Sequence, residues 1–249
     1  EGNSYFLPLL EKNDFLPNLG KIPEKNTRKS KILFINYPNN PTAANAPPEF
    51  YERVVAFAKK YNIIVCSDAA YSEIYFDNKK PPSFLETKGA KDIGVEFHSV
   101  SKTYNMAGWR LGWVCGNPKI VEGLAKVKDN YDSCVFGAVQ EAGIAALKSP
   151  SCVGEMRKIY QKRRDVFVNA LNGIGWLVKK PQATFYVWAR VPGGYTSAET
   201  VEKLLDKAGI VSTPGNGMGP SGKGYVRFSL TVPETRLKQA VERISKIKW

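Results

Sequence analysis

The run "SVSKTYNMAGWRLG" (99–112) brings Ser99, Ser101, Lys102 and Arg110 into one short stretch. Hydroxyls and a guanidinium are the donor types that hold a phosphate dianion. A lysine amine beside such a phosphate can be presented to an aldehyde. An ordinary polar loop, with Arg110 paired to a surface carboxylate, would use the same residues. Asp68 closes the apolar run "IIVCSD", a setting where a carboxylate is costly unless it meets a cation or donors. It either caps a helical turn in "DAAYSEI" or faces a protonated ring nitrogen, whose charge lets the ring draw electrons from a bound carbanion. Asn40 and Tyr71 can donate to a ring oxygen, or serve as a turn asparagine in "NNP" and a part-buried tyrosine. In "YVRFSLT", Val226, Phe228 and Leu230 alternate with Tyr225, Arg227 and Ser229, so Arg227 lies on the face away from the core. There it is a plain surface arginine or a bidentate clamp for a carboxylate.

These residues need a scaffold. "KILFIN" (31–36) is a β-branched apolar run and predicts a buried strand. "YPNNPTAANAPP" reads as a loop. A helix follows in "PEFYERVVAFAKKYN", with Phe50, Val54, Phe57 and Tyr61 on one face and Pro48 near its start. "IIVCSDAAY" (63–71) begins as a second buried strand, so the three elements form a βαβ unit with parallel strands. Asn40 and Asp68 then both emerge at the carboxyl edge of the sheet, where open α/β sheets bind ligands. "GVEFHSV" (94–100) predicts a third strand that delivers Ser99, Ser101 and Lys102 to a loop. "RLGWVCG" (110–116) follows too closely for a helical crossover and is expected to run antiparallel, making the sheet mixed. Helices are expected at about 118–128 and 134–148, then a long amphipathic one over 152–175. Beyond it lie strand 184–191, helix 197–209, strand 225–231 and a final helix from about 234. The glycine-rich "PGNGMGPSGKG" (214–224) lacks the strand-to-helix context of a dinucleotide loop and reads as a mobile loop.

The chain has 249 residues, 43% of them hydrophobic, which is a globular composition. Its net charge is +13, from 36 Lys and Arg against 23 Asp and Glu. The basic residues are scattered over amphipathic segments such as "EMRKIYQKRRD", which makes them a solvated face and not a nucleic-acid site. A positive field also favours anionic small molecules. The four cysteines lie far apart with no Cys-x-x-Cys pair, and three sit in apolar runs and read as small buried hydrophobes. That points to a reducing compartment and away from zinc. One histidine, His98, is too few for a histidine metal centre or a Ser-His-Asp triad. No apolar stretch is long enough to cross a bilayer.

The order of these features resembles the class I/II aminotransferases of pyridoxal-phosphate fold type I: "NYPNNPTA", "SDAAYSEIYFD", "SVSKTYNMAGWRLGW" and "YVRFSLT". Stretches such as "PLLEKNDFLPNL", "EFHSVSKTYNMAGWR" and "TFYVWARVPGGYTSAE" look like the LL-diaminopimelate aminotransferase subgroup. The resemblance covers the whole chain but only the later part of a typical member. The expectation is therefore a chain that starts within a domain, with upstream phosphate donors and a cofactor-stacking aromatic ring outside it.

At matching positions the resemblance implies that Lys102 bonds to pyridoxal 5'-phosphate and that Asp68 holds the pyridine nitrogen. Asn40 and Tyr71 would hold the ring oxygen, Ser99, Ser101 and Arg110 the phosphate, and Arg227, with Asn40, the substrate. It implies an α/β fold: a mixed, mostly parallel sheet flanked by helices in a cofactor-binding domain (1–153), then a smaller α+β domain (154–249). The implied activity is ping-pong transfer of an amino group between an amino acid and a 2-oxo acid, by a cytoplasmic homodimer without nucleic-acid, membrane or metal partners. LL-diaminopimelate with 2-oxoglutarate is the expected pair. Aspartate, alanine or aromatic aminotransferase activity, β-lyase chemistry on the same cofactor, and the aminotransferase-like domain of a transcription regulator are the alternatives. One departure from the motif is Ala43, where glycine usually follows Asn-Pro-Thr. It bears only on the loop backbone, because alanine disfavours positive φ.

Overall fold

Proline at its first positions and an asparagine in the left-handed region at its end (Asn62, φ 53°) bound the first long helix. In the computed structural model, which describes residues 2–249, that helix is α2 (Pro48–Tyr61), and the chain forms two compact units. The first contains residues 2–38, 45–73 and 80–155 and the second 39–44, 74–79 and 156–249.

The first unit opens with α1 (Glu24–Lys29), β1 (Ile32–Asn36), α2 (Pro48–Tyr61) and β2 (Ile64–Asp68). It continues with α3 (Ala90–Ile93), β3 (Gly94–Ser99), α4 (Val100–Thr103) and β4 (Gly112–Gly116), then α5 (Pro118–Tyr131), α6 (Gly137–Leu147) and the start of α7 (Ser151–Gly173). The sheet order is β1-β2-β3-β4, parallel except for β4. The short 99–112 connection leaves no room for a helical crossover, so β4 must turn back.

Helix α2 buries Phe50, Tyr51, Val54, Val55 and Ala58, while the expected Phe57 and Tyr61 lie half-buried against each other. Each fully buried side chain of this size contributes about 1.5–3 kcal/mol. Tyr37, Phe50, Tyr51 and Phe84 join in a chain of ring contacts 5.5–5.9 Å apart. The prediction of a fully buried β1 is corrected. Leu33 and Ile35 point into the core, but Ile32 and Phe34, at 72% exposure, lie on a sheet face that no element among the described residues covers. Strand alternation alone divides the run this way. Helix α5 likewise has no fully buried residue, and α6 buries only Gly143, where an added Cβ would meet the tip of the Leu111 side chain at 2.3 Å.

The cysteine expectation is corrected too: Cys66, in the central β2, is buried, whereas Cys115, Cys134 and Cys152 are exposed. Cys115 sits on an edge strand, Cys134 in the α5–α6 connection and Cys152 at the start of α7, so apolar neighbours in sequence do not enclose them.

The second unit holds most of α7, then β5 (Tyr186–Arg190), α8 (Ser197–Ala208), β6 (Thr213–Pro214), β7 (Tyr225–Ser229) and α9 (Glu234–Ile244). The three strands form an antiparallel sheet in the order β5-β7-β6. Thr196 and Glu199 make a reciprocal capping box at the start of α8, and Gly209 (φ 58°) ends it. The segment 74–79 is tied into this unit: Tyr75 bridges Ala183, the Phe76 amide donates to the Gln182 carbonyl, and Asp77 receives both arms of Arg164 at 2.7 and 2.9 Å. Arg164 is 1% exposed, and its remaining donors reach Asp165 and the Pro181 carbonyl. A buried guanidinium is tolerable only with such full pairing.

The expected mobile loop at 214–224 is instead two ordered 3-10 turns, Gly215–Met218 and Pro220–Gly222. A Cβ on Gly215 would meet the Gly222 carbonyl oxygen at 2.1 Å, and one on Gly222 would meet the Gly215 oxygen at 2.0 Å. Gly215 and Gly222 permit this close backbone packing because neither carries a Cβ.

Candidate functional site

In the first unit, β2 and β3 run parallel with Asp68 opposite Phe97, and the Ala69 amide donates to the Phe97 carbonyl at 2.9 Å. Two adjacent strands therefore release their chemistry at the same edge: Asp68 from β2, and Ser99, Ser101 and Lys102 from the end of β3. Ser99 is the N-cap of α4, and its Oγ accepts the Ser101 amide at 3.1 Å. The Ser99 hydroxyl also donates to the Leu111 carbonyl at 3.4 Å, and the Val100 amide donates to that same oxygen at 3.2 Å. These bonds hold the segment after Arg110 against the segment before Lys102. Ser101 is buried, Lys102 half-buried, and Arg110 exposed in the left-handed region (φ 52°) with Nη1 donating to the Ala107 carbonyl at 2.8 Å.

Asp68 departs from expectation in its surroundings. It is exposed at the strand end, not enclosed, because β2 stops there and the chain turns away at 70–73. Its Oδ1 accepts the Ala70 amide at 3.1 Å, so it does cap that turn, as the structural alternative required. The backbone oxygen of Asp68 is held by the Asn36 side chain at 3.0 Å and the Tyr37 amide at 3.2 Å, which fixes where the carboxylate starts. Tyr71 lies in the turn and is 5% exposed. Within β3, Glu96 is buried and accepts from the Ser83 hydroxyl, the Phe84 amide and His98 Nε2, each at 2.9 Å. His98 stacks on Trp113 with centroids 5.2 Å apart. The lone histidine is a strand-pairing residue with a carboxylate partner.

The second unit holds the other two candidates. Asn40 sits in the loop 39–44, where Asn39 accepts both the Thr42 amide and its hydroxyl and exchanges backbone bonds with Ala43 and Ala44. Ala43 adopts φ 58°, the region that glycine tolerates better. Arg227, from the middle of β7, donates from Nη1 to Asn40 Oδ1 at 2.8 Å and from Nη2 to Thr213 Oγ1 at 3.3 Å. Its guanidinium carbon lies over the Tyr186 ring, 4.2 Å from the centroid. Tyr186 and Thr213 were not among the sequence candidates. Tyr186 was readable from the alternation of "TFYVWARV", which puts it on one face with Trp188 and Arg190; β6, two residues long, leaves no periodic signal for Thr213.

Among the described residues no group of three or more His, Cys, Asp or Glu could hold a metal ion, and no helix is long and apolar enough to cross a membrane.

A sequence model of the family described as aminotransferase class I and II matches residues 5–244. An LL-diaminopimelate aminotransferase of Moorella thermoacetica is 55% identical over 247 residues, which cover 99% of this chain and 63% of that protein. One from Maridesulfovibrio salexigens is 58% identical over 248 residues, covering 99% and 64%. Among solved structures, substrate-bound BacF from Bacillus subtilis superposes with a TM-score of 0.94 at 42% identity, covering 97% of this chain and 62% of that one. The chain thus spans 63–64% of the length of these two curated relatives.

Proposed function

The chain belongs to the class I and II aminotransferase family, and on that premise we propose that it serves a pyridoxal-phosphate-dependent transamination, with LL-diaminopimelate as amino donor and 2-oxoglutarate as acceptor. The substrate pair is supported by the names of relatives at 55 and 58% identity. The observation that carries the reaction type is the parallel register of β2 and β3, which ends both strands at one edge with Asp68 on one and Ser99, Ser101 and Lys102 on the next.

The donor set fits pyridoxal phosphate. An accessible carboxylate suits a pyridinium, two hydroxyls and a guanidinium suit a phosphate, and a primary amine suits an aldehyde. When bound, that cofactor supplies an electron sink for the substrate carbanion and carries the amino group between the two halves of a ping-pong cycle. The residues do the rest. Lys102 Nζ would hold the aldehyde carbon of the bound cofactor and, as a free amine, would take the substrate α-proton. Asp68 keeps the ring nitrogen protonated. Ser99, Ser101 and Arg110 bind the phosphate, and Asn40 and Tyr71 donate to the ring oxygen. Arg227, steadied by Asn40, grips the substrate α-carboxylate. In this reading Asp68, Tyr71, Ser99, Ser101, Lys102 and Arg110 belong to a large cofactor-binding domain over 1–153 and Arg227 to a smaller one over 154–249, in a cytoplasmic homodimer, as the family resemblance implies.

The test is spectroscopic and kinetic. Full-length protein purified with vitamin B6 is expected to show a visible cofactor band that Lys102→Ala abolishes, and to consume LL-diaminopimelate only when 2-oxoglutarate is supplied. A band that survives in the variant sinks the assignment of Lys102. Turnover independent of an oxo acid replaces transamination with a lyase reaction.

A further inference from the structure

Arg227 shares its sheet face with alternate residues of β5. It pairs directly with Trp188, and Tyr186 pairs with Ser229 two positions along, so Tyr186 reaches Arg227 on the diagonal. Three segments therefore meet at one guanidinium: the loop 39–44 through Asn40, β5 through Tyr186 and β6 through Thr213. A guanidinium has five N–H donors in a rigid plane and two open faces. Here Nη1 and Nη2 each give one hydrogen bond sideways, to Asn40 and Thr213. Those bonds constrain the edge of the group. An aromatic face 4.2 Å away constrains its tilt, because the ring quadrupole attracts the cation over the ring.

We propose that Tyr186 is a positioning residue for carboxylate recognition. Its ring face sets the tilt of the Arg227 guanidinium, so that the N–H groups not given to Asn40 and Thr213 meet a planar carboxylate two at a time. This rests on the reading of Arg227 as the carboxylate clamp. A bidentate pair is sensitive to coplanarity, and an arginine left free to rotate must be ordered each time a substrate binds. The ring face does the work, not the phenol. Both the amino donor and the oxo-acid acceptor carry the same carboxylate, so a defect in the tilt appears in both.

The experiment uses the full-length holoenzyme with Tyr186→Leu, Tyr186→Met, Tyr186→Phe and Arg227→Lys, assayed with LL-diaminopimelate and 2-oxoglutarate. The Leu and Met variants are expected to raise KM for donor and acceptor together by about tenfold, with kcat held within about twofold and the visible cofactor band intact. Tyr186→Phe is expected to return both KM values to within about twofold of the parent. The two aliphatic variants differ in shape, so a folding defect in one leaves the other to be read. A Phe variant as impaired as Leu overturns the proposal, because the hydroxyl would then be the active group. A rise in KM for one substrate alone also overturns it, by assigning Tyr186 to side-chain recognition. Unchanged KM in Leu and Met, beside a raised KM in Arg227→Lys, removes Tyr186 and leaves the clamp standing. Unchanged KM in Arg227→Lys removes the clamp reading itself.

Discussion

Arg227 Nη1 donates to Asn40 Oδ1 at 2.8 Å, joining residues 187 positions apart in the chain. The two were candidates for separate reasons, Asn40 as a loop amide and Arg227 as the out-facing residue of a strand. Their contact makes them one device, in which a neutral acceptor takes one donor of the guanidinium and leaves its charge uncancelled. A carboxylate in place of Asn40 would neutralise the arginine and compete with any anionic ligand.

Asn40→Ala is expected to raise KM for the amino acid by about ten- to hundredfold, since hydrogen bonds to charged groups contribute roughly 1.5–3 kcal/mol. Steady-state kinetics on the full-length enzyme reads this directly. An unchanged KM would show that the bond does not orient the clamp.

The Arg164–Asp77 pair makes stability depend on acid. Its hydrogen bonds hold the Asp77 carboxyl below the usual carboxylate range. With the folded-state pKa depressed, the contribution is present above the unfolded value of about 3.9 and is lost as pH falls through the folded one. Asp77→Ala is expected to cost about 2–3 kcal/mol at neutral pH, with Asp165 still pairing the arginine. The gap between parent and variant should close in urea melts taken at successively lower pH below 4. A gap that stays constant would assign the loss to packing.

Gly215→Ala is expected to destabilise the second unit by about 1–3 kcal/mol, the usual range for overpacking. The added methyl would lie 2.1 Å from the Gly222 carbonyl oxygen and 2.9 Å from the Trp188 ring. Thermal melting checks it, with Gly217→Ala, where the built Cβ meets nothing within 4 Å, as the control.

Thiol titration should separate the four cysteines. Cys134 and Cys152 are exposed and react fast, while Cys66 is enclosed in β2 and burial pushes its thiol pKa up. Cys115 is also exposed, but partial burial and the Glu96 carboxylate raise its pKa, so it is expected to follow the fast pair. Prompt labelling of all four sites in folded protein would contradict the burial of β2.

The parallel β1–α2–β2 unit and the reversed β4 were legible in the sequence, because hydrophobic runs and the short 99–112 connection constrain them, whereas the pairing of β2 with β3 and the two-residue β6 left no such signal. The grouping of Ser99, Ser101 and Lys102, which are neighbours in the chain, was legible too. Environments were not. Asp68 closes an apolar run and yet stands exposed, since the run ends where the strand does. Residues 214–224 looked mobile because glycine allows freedom, but here glycine allows two backbones to touch. The face of Tyr186 was readable from the alternation of its strand, but its approach to Arg227, like that of Thr213 on the two-residue β6, is set by register and not by local pattern.

Phe34 and Ile32 leave a practical mark on how this polypeptide behaves in a tube. Expressed as these residues alone, it presents an apolar plane bounded by β1, whose outer edge has no strand partner among the described residues, beside helix α5, none of whose side chains is fully buried. Such a surface is expected to bind environment-sensitive dyes and to self-associate, so any colour or turnover assay has to begin by showing that the sample is still monodisperse.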